Sequence, residues 1–215
     1  MSYIAERRQE EKERRRAEIL DAAESVASQV GWEATTMDEV ARRARLSRAL
    51  LYVYFQDKTD LLYGIAARGL SVLKQRFDEG IARHDRGLEQ MQAIGRAYVA
   101  YSQEFPVYFE VLSRCELLPT QPEPLTDSNA GACSRAGEGV LQLMVGALER
   151  GMRDGSIRSD LGPAAAVALV LKGFMHGVIQ MTTTQGNLLL RSGVEQRTLL
   201  NEALTLATRA LAAPV

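Results

Sequence analysis

The chain has 215 residues, 46% of them hydrophobic and 25% charged, with a formal net charge of −1. That apolar content supports a real core, in one large domain or a small head plus a larger body. The near-neutral charge excludes a protein that holds nucleic acid by bulk electrostatics, so any such role must rest on local charge. Two cysteines, Cys115 and Cys133, are too few for a disulfide scaffold and point to a reducing, cytoplasmic compartment.

Residues 1–14 read as a mixed-charge arm without the apolar run of a signal peptide. Such a segment is expected to be disordered or a fraying helix start. Arg14, Arg15 and Arg16 at its end are candidates for touching phosphate, although Glu10, Glu11 and Glu13 are interleaved with the basic residues. A first solid helix is predicted from about Arg15 to Val30, because Ile19, Ala22, Ala23, Val26, Ala27 and Val30 recur at helical spacing. Gly31 should end it, and Trp32 reads as a core plug.

Residues 36–55, TMDEVARRARLSRALLYVYF, read as two short helices and a tight turn. Thr36 and Glu39 have the spacing of a capping box, Arg45-Leu46 is only long enough for a turn, and Ser47 suits the N-cap of the second helix. This is the helix-turn-helix layout. Residues 1–60 hold 11 basic against 12 acidic side chains, yet Arg42, Arg43, Arg45 and Arg48 fall together with no acid among them. The hydroxyls of Ser47, Tyr52 and Tyr54, the Arg48 guanidinium and the Lys58 ammonium are groups that bind phosphate, and Arg48 has a guanine edge as its other target. Ala49, Leu50 and Val53 carry no hydrogen-bonding group. Facing a groove they meet thymine methyls; the alternative for Leu50 is to pack inward, as Leu51 and Phe55 should.

Asp57 and Asp60 stand at N-cap and N3 of a long helix that reaches about Arg83. No Pro-, Ser- or Gly-rich linker precedes it, so a stiff junction is expected. Further helices are predicted over 88–104, 107–114, 131–154, 163–183 and 193–211, with turns at 85–87 and 184–187. Residues 117–130 hold three of the six prolines and read as a loop. The helix over 163–183 is apolar almost all round, which calls for burial on more than one side, part of it against another subunit. Its longest uninterrupted apolar run, Ala164 to Leu171, is far shorter than a membrane span requires, and no membrane partner is expected. No strand pattern appears.

Catalytic equipment is sparse. The two histidines, His84 and His176, stand far apart and outside any metal-ligand spacing, and no phosphate loop, nucleophile elbow or Cys-x-x-Cys is present. No catalytic residue, metal or cofactor is expected. Cys115 and Cys133 flank the proline-rich loop and have the option of pairing under oxidation, although small buried thiols are common. In the body Tyr98, Tyr101, Phe105, Tyr108, Phe109, Met144, Leu148, Phe174, Met175 and His176 are candidates to line an apolar effector pocket with a few polar handles; for each, core packing is the competing role.

The pieces ILDAAESVASQVGWEATTMDEVA, LSRALLYVYF and DKTDLL closely resemble, in order and in helix length, the head of the tetracycline-repressor (TetR-type) family. ERGMRDGSIRSDLGPAAAVALVLKGFMHGV resembles that family's penultimate helices. The chain departs from the pattern at Arg45, where a turn glycine is usual, and at Leu50, where a small or hydroxylated residue is common. The resemblance implies DNA contacts from Thr36, Ser47, Arg48, Ala49, Leu50, Tyr52, Val53, Tyr54 and Lys58. It implies an all-α fold: a three-helix helix-turn-helix head at 15–57 and a larger helical effector-binding and dimerisation body at 58–215. The expected protein is a homodimer paired through its last two helices. It is a sequence-specific transcriptional regulator, a repressor released from a palindromic double-stranded DNA operator by a small, mostly apolar effector. The alternatives are a helical small-molecule-binding protein, a DNA-binding protein that needs no effector, or an interaction module that sets its apolar penultimate helix on another partner.

Overall fold

A computed structural model describes residues 3–118 and 128–214. The described residues are helical with no strand, and they form two compact units. The core of the expected 117–130 loop, residues 119–127, lies outside the described residues.

The first unit takes residues up to Gly69 together with Phe105–Arg135. It contains α1 (Tyr3–Ala34), α2 (Met37–Arg43), α3 (Arg48–Tyr54), the first part of α4 (Lys58–Ile81), α6 (Pro106–Cys115) and the start of α7 (Asn129–Asp154). Helix α1 begins at Tyr3, not near Arg15. Polar side chains of the arm sit three and four apart and pair along the helix: Arg14 with Glu11 at 2.6 Å and Arg15 with Glu18 at 2.7 Å as ion pairs, and the Gln9 amide donating to Glu13 at 2.7 Å. Such exposed pairs contribute only a few tenths of a kcal/mol each (~0.2–0.5), but here they run in series. Ile19, Leu20, Ala22, Ala23, Val26 and Ala27 form the buried stripe; Val30, expected within it, is exposed. Gly31 breaks the helix with φ 78°, a left-handed value that suits glycine, and Trp32 just beyond is buried.

Polar side chains tie this unit together behind the α1 stripe. Arg68 of α4 reaches Asp21 at 2.5 Å, Glu24 at 3.0 Å and the Ala17 carbonyl at 3.2 Å. The Tyr108 hydroxyl of α6 donates to Glu24 at 3.0 Å. Burial raises the Glu24 carboxyl above its ordinary range, and burial with that carboxylate alongside pushes the Tyr108 phenol up to about 12. Arg16 donates to the Asn129 side chain, Asn129 donates to Asp60 at 2.8 Å, and the Arg16 guanidinium lies 5.4 Å over the Phe55 ring. Arg16 is therefore part of the interior and not free to reach phosphate.

The second unit takes Leu70–Glu104 and residues from Ala136 on. It holds the rest of α4 and α7, with α5 (Gly87–Glu104), α8 (Ala164–Thr184), α9 (Gly186–Ser192) and α10 (Gln196–Leu211). Its core includes Phe77, Ile94, Tyr101, Leu148, Ile157, Met175, Ile179 and Leu200. Gly87 packs directly on the α7 backbone: a Cβ there would lie 2.1 Å from the Gly151 amide nitrogen, so only glycine fits. The start of α5 is capped from outside, Asp154 accepting from the Gly87 amide at 2.8 Å and Ser156 from the Leu88 amide at 3.1 Å. Residues 184–192, expected as a turn and a gap, contain the extra helix α9. Gly193 ends it at φ 65°, and α10 starts later than expected, at Gln196.

Helix α8 buries Ala168, Met175, His176 and Ile179 on one side. Ala166, Leu169, Val170, Gly173 and Phe174 form a second stripe that stays exposed, with Val170 at 70% and Leu169 at 53%. Over its full length α8 is long and apolar enough to cross a membrane by length and composition, which the shortness of its uninterrupted run concealed; Lys172 and His176 interrupt it.

Candidate nucleic-acid interface

The head is built by short-range hydrogen bonds that fix where two helices start and stop. Thr36 accepts from the Glu39 amide at 3.2 Å and opens α2. Only half of the expected capping box forms, because the Glu39 carboxylate pairs with Arg42 at 3.0 Å. Helix α2 ends in a Schellman arrangement: the Leu46 amide donates to the Ala41 carbonyl at 2.9 Å and the Arg45 amide to Arg42 at 3.2 Å. Arg45 takes φ 57°, the left-handed conformation inferred from its standing at a turn-glycine position. Ser47 then caps α3, accepting from the Leu50 amide at 3.2 Å.

This geometry divides α3 sharply. Leu51 and the C-cap Phe55 are fully buried, so the opposite face is turned out. On it stand Arg48, Ala49, Leu50, Tyr52 and Val53, with Leu50 at 37% and Val53 at 75% exposure. Leu50 does not pack inward. Tyr54 is half-buried, while Thr36 and Ser47 are exposed at the two helix starts. The caps use only the oxygen lone pairs of Thr36 and Ser47, so both hydroxyl protons remain available to donate.

Arg48 is already held. Its guanidinium lies 3.1 Å from Asp38 of α2 and 5.6 Å over the Tyr52 ring. Lys58 opens α4 and donates to the Glu33 carbonyl at 2.8 Å, 5.3 Å over the Trp32 ring. Asp38, Glu33 and Trp32 are the positioning residues that sequence spacing does not reveal, since each meets a group ten or more positions away. The α4 start was legible: Asp57 accepts from the Asp60 amide at 2.7 Å, and Asp60 accepts from the Gln56 amide at 3.0 Å.

Residues 19–64 match the family model of bacterial regulatory proteins of the tetR family. An HTH-type transcriptional regulator of Bacillus subtilis, YfiR, is 29% identical over 80% of this chain and 81% of its own. The transcriptional repressor KstR of Rhodococcus jostii is 36% identical over 46% of each chain. The fold is shared with the regulator FadR of Bacillus subtilis, solved with stearoyl-CoA, at a TM-score of 0.68 and 19% identity, over 90% of this chain and 98% of that one. The chain carries a head of the tetR family at residues 19–64. It is a DNA-binding transcriptional regulator.

In this regulator the ten body candidates do not all share one unit. Phe105, Tyr108 and Phe109 belong to the first, where Phe105 stacks on Tyr108, Phe109 is buried, and the Tyr108 hydroxyl is directed to Glu24. The other seven belong to the second. There Tyr98 is the centre: its hydroxyl is 2.7 Å from His176 Nδ1, its ring stacks on Tyr101 and His176, and Phe77 meets it edge-on. Phe77 was not among the candidates, although it closes this cluster. Met144, Leu148, Met175, His176 and Tyr101 are buried, whereas Phe174 lies on the exposed stripe of α8.

Proposed function

We propose that this regulator is a homodimeric repressor. In each protomer α3 reads half of a palindromic double-stranded DNA operator, and a small, mostly apolar effector bound in the body, residues 58–215, releases it. The observation that supports the DNA half is the division of α3, with Leu51 and Phe55 fully buried and Leu50 and Val53 exposed beside Arg48 and Tyr52. Thr36, Ser47, Tyr52, Tyr54 and Lys58 are assigned to phosphate, and Arg48 to phosphate or a guanine edge. Ala49, Leu50 and Val53 are assigned to thymine methyls. Two such helices related by a two-fold axis address half-sites about 34–36 Å apart, or a multiple of that. The exposed α8 stripe supplies a self-complementary apolar surface for pairing with the symmetry mate, with α10 beside it. No catalysis, metal or cofactor enters the proposal.

The Tyr98–His176 pair is the polar handle proposed for the effector, inside an otherwise apolar aromatic cluster. Because FadR of Bacillus subtilis was solved with stearoyl-CoA, a long acyl thioester is the first candidate. Effector binding must favour one head spacing over the other, and α4, which begins at Lys58, is the element proposed to carry the change. Selection of bound duplexes from a random pool at two salt concentrations tests the DNA half. A palindromic motif is expected, and its absence removes the dimeric reading. The salt slope gives the number of phosphate contacts. Titration with stearoyl-CoA tests the effector half: saturation that leaves operator affinity unchanged rules out release by this ligand.

A further inference from the structure

Asp38 is the second residue of α2 and Arg48 the first of α3, ten positions apart across the turn. Each helix is anchored by its own buried side chains, Met37, Val40 and Ala41 on α2 and Leu51 on α3. The Leu46 amide, bonded to the Ala41 carbonyl at 2.9 Å, fixes the turn between them. Asp38 and Arg48 therefore meet in a set geometry. One guanidinium nitrogen, Nη1, lies 3.1 Å from one carboxylate oxygen and donates to the other at 3.2 Å. The Tyr52 ring lies 5.6 Å from the guanidinium carbon. A carboxylate and an aromatic face together hold the plane and the heading of a side chain that otherwise samples many rotamers. The bond to Asp38 uses Nη1, and the fork has further donors on Nε and Nη2.

An acid in the first turn of a helix has an ordinary role, which is to face the positive helix end. Glu39 shares that turn and pairs with Arg42 on its own helix. Asp38 instead takes a side chain on the exposed face of α3. Charge then separates the two targets open to Arg48. A phosphate is an anion, and at Nη1 it would meet the Asp38 carboxylate and be repelled. The O6 and N7 edge of guanine is neutral, and it accepts from two donors of the fork at once. The carboxylate thus offsets the charge that draws an arginine to the backbone and keeps the geometry that reads a base.

We propose that Asp38 is a specificity-determining residue of the DNA interface: it directs Arg48 to a guanine edge in the major groove and away from phosphate. Asp38 acts through Arg48 and is a positioning residue. Its role rests on α3 being the reading helix, as proposed above, and it decides between the two targets which that reading allows for Arg48. Removing this acid should strengthen binding to unrelated duplexes while weakening base preference. Loss of structure alone does not produce that pair of opposite changes.

The test uses the full chain and duplexes selected from a random pool. The guanine in question is located as the position whose preference Arg48→Ala removes. Asp38→Ala should lower the preference there by about tenfold and raise affinity for an unrelated duplex. The salt slope should steepen by about one for each copy of α3 bound, as Arg48 turns to phosphate. Asp38→Asn keeps an oxygen to accept from Nη1 without the charge; it should fall between Asp38→Ala and the parent, and it carries the test if the alanine variant unfolds. Glu39→Ala removes the same charge from the same turn and should leave the guanine preference unchanged. Adding Asp38→Ala to Arg48→Ala should lower the preference no further. The proposal is overturned if a folded Asp38→Ala keeps the full guanine preference, or if Glu39→Ala lowers it equally. A parent motif with no guanine that depends on Arg48 overturns it too, and leaves the reading of DNA by α3 standing. A parent chain that selects no motif removes that reading, and the role of Asp38 with it.

Discussion

Helices α3 and α8 both leave large apolar side chains in solvent, Val53 at 75% on one and Val170 at 70% on the other. They differ in what surrounds the exposed groups. On α3 they are isolated and rimmed by Ser47, Arg48 and Tyr52, on a helix of seven residues pinned at its start by a cap and at its end by Phe55. On α8 they form a stripe from Ala166 to Phe174, a stretch whose one charge is the exposed Lys172, on a helix of 21 residues. A surface that must meet a charged, hydrated and patterned polymer needs hydrogen-bonding groups beside each apolar contact. A surface that must meet a protein helix needs area and continuity. The same apparent violation of burial thus has two physical meanings, and the neighbours of each exposed residue separate them.

The largest expected effect tests the α8 side of this contrast. On the proposed two-fold seam, Val170→Glu places a charge on each copy within an apolar stripe. An uncompensated charge in such a setting costs roughly 3–5 kcal/mol, which is more than about a hundredfold in dimer affinity. Light scattering should report a monomer at concentrations where the parent is a dimer, while the helical circular dichroism signal is retained. A dimer that persists would mean the stripe serves another partner.

The two helices were not equally legible. The caps, the turn and the inward side chains of α3 are local, set by residues three or four apart, so Thr36, Ser47, Leu51 and Phe55 could be placed from spacing alone. The left-handed Arg45 followed from the family resemblance, which puts a turn glycine at that position. What spacing missed in the head was tertiary: Asp38 holding Arg48, and Glu33 with Trp32 holding Lys58. For α8 the pattern showed that several faces were apolar, but not which of them the chain itself covers. That depends on α5 and α10, which arrive from elsewhere in the sequence. The same limit applies to the body candidates. Tyr98 and His176 were both nominated as apolar-pocket residues, yet their direct bond joins α5 to α8, and no periodicity within either helix encodes it. Residues 3–14 failed for the opposite reason: a mixed-charge run reads as unstructured until its signs are checked at helical spacing.

On α3, Arg48→Ala is expected to weaken operator binding by about 1–3 kcal/mol. A phosphate role predicts a uniform loss across sequences and a salt slope lower by about one; a guanine role predicts relaxed preference at one position of each half-site. Because Arg48 also clasps Asp38, a thermal melt must accompany the binding curve. A lower melting temperature with unchanged operator affinity would assign Arg48 to the fold and not to the operator.

A smaller change should come from Leu50→Ala, which shortens an exposed apolar contact without altering charge. The expected cost is about 1 kcal/mol. It should appear as weakened preference for thymine at one position in duplexes selected from a random pool, with the salt slope unchanged. The control is Leu169→Ala on α8, at a protein concentration that keeps the dimer intact. That variant should leave the selected sequence untouched. If both substitutions shift base preference alike, the separation between the two exposed surfaces collapses.

The smallest effect concerns the turn that aims α3. A side chain at φ 57° carries a left-handed strain that glycine does not, while glycine loses more chain entropy on folding. The two terms nearly offset, so Arg45→Gly should gain at most about 1 kcal/mol in a denaturant titration. Arg45→Ala removes the same charge but keeps the Cβ, and it should show no such gain. Comparing the two variants in operator binding cancels the lost charge. Any remaining difference then reports how firmly the turn holds the exposed face of α3. A glycine variant that is more stable yet binds more weakly than the alanine variant would show that the strained residue at this turn keeps the reading helix in position.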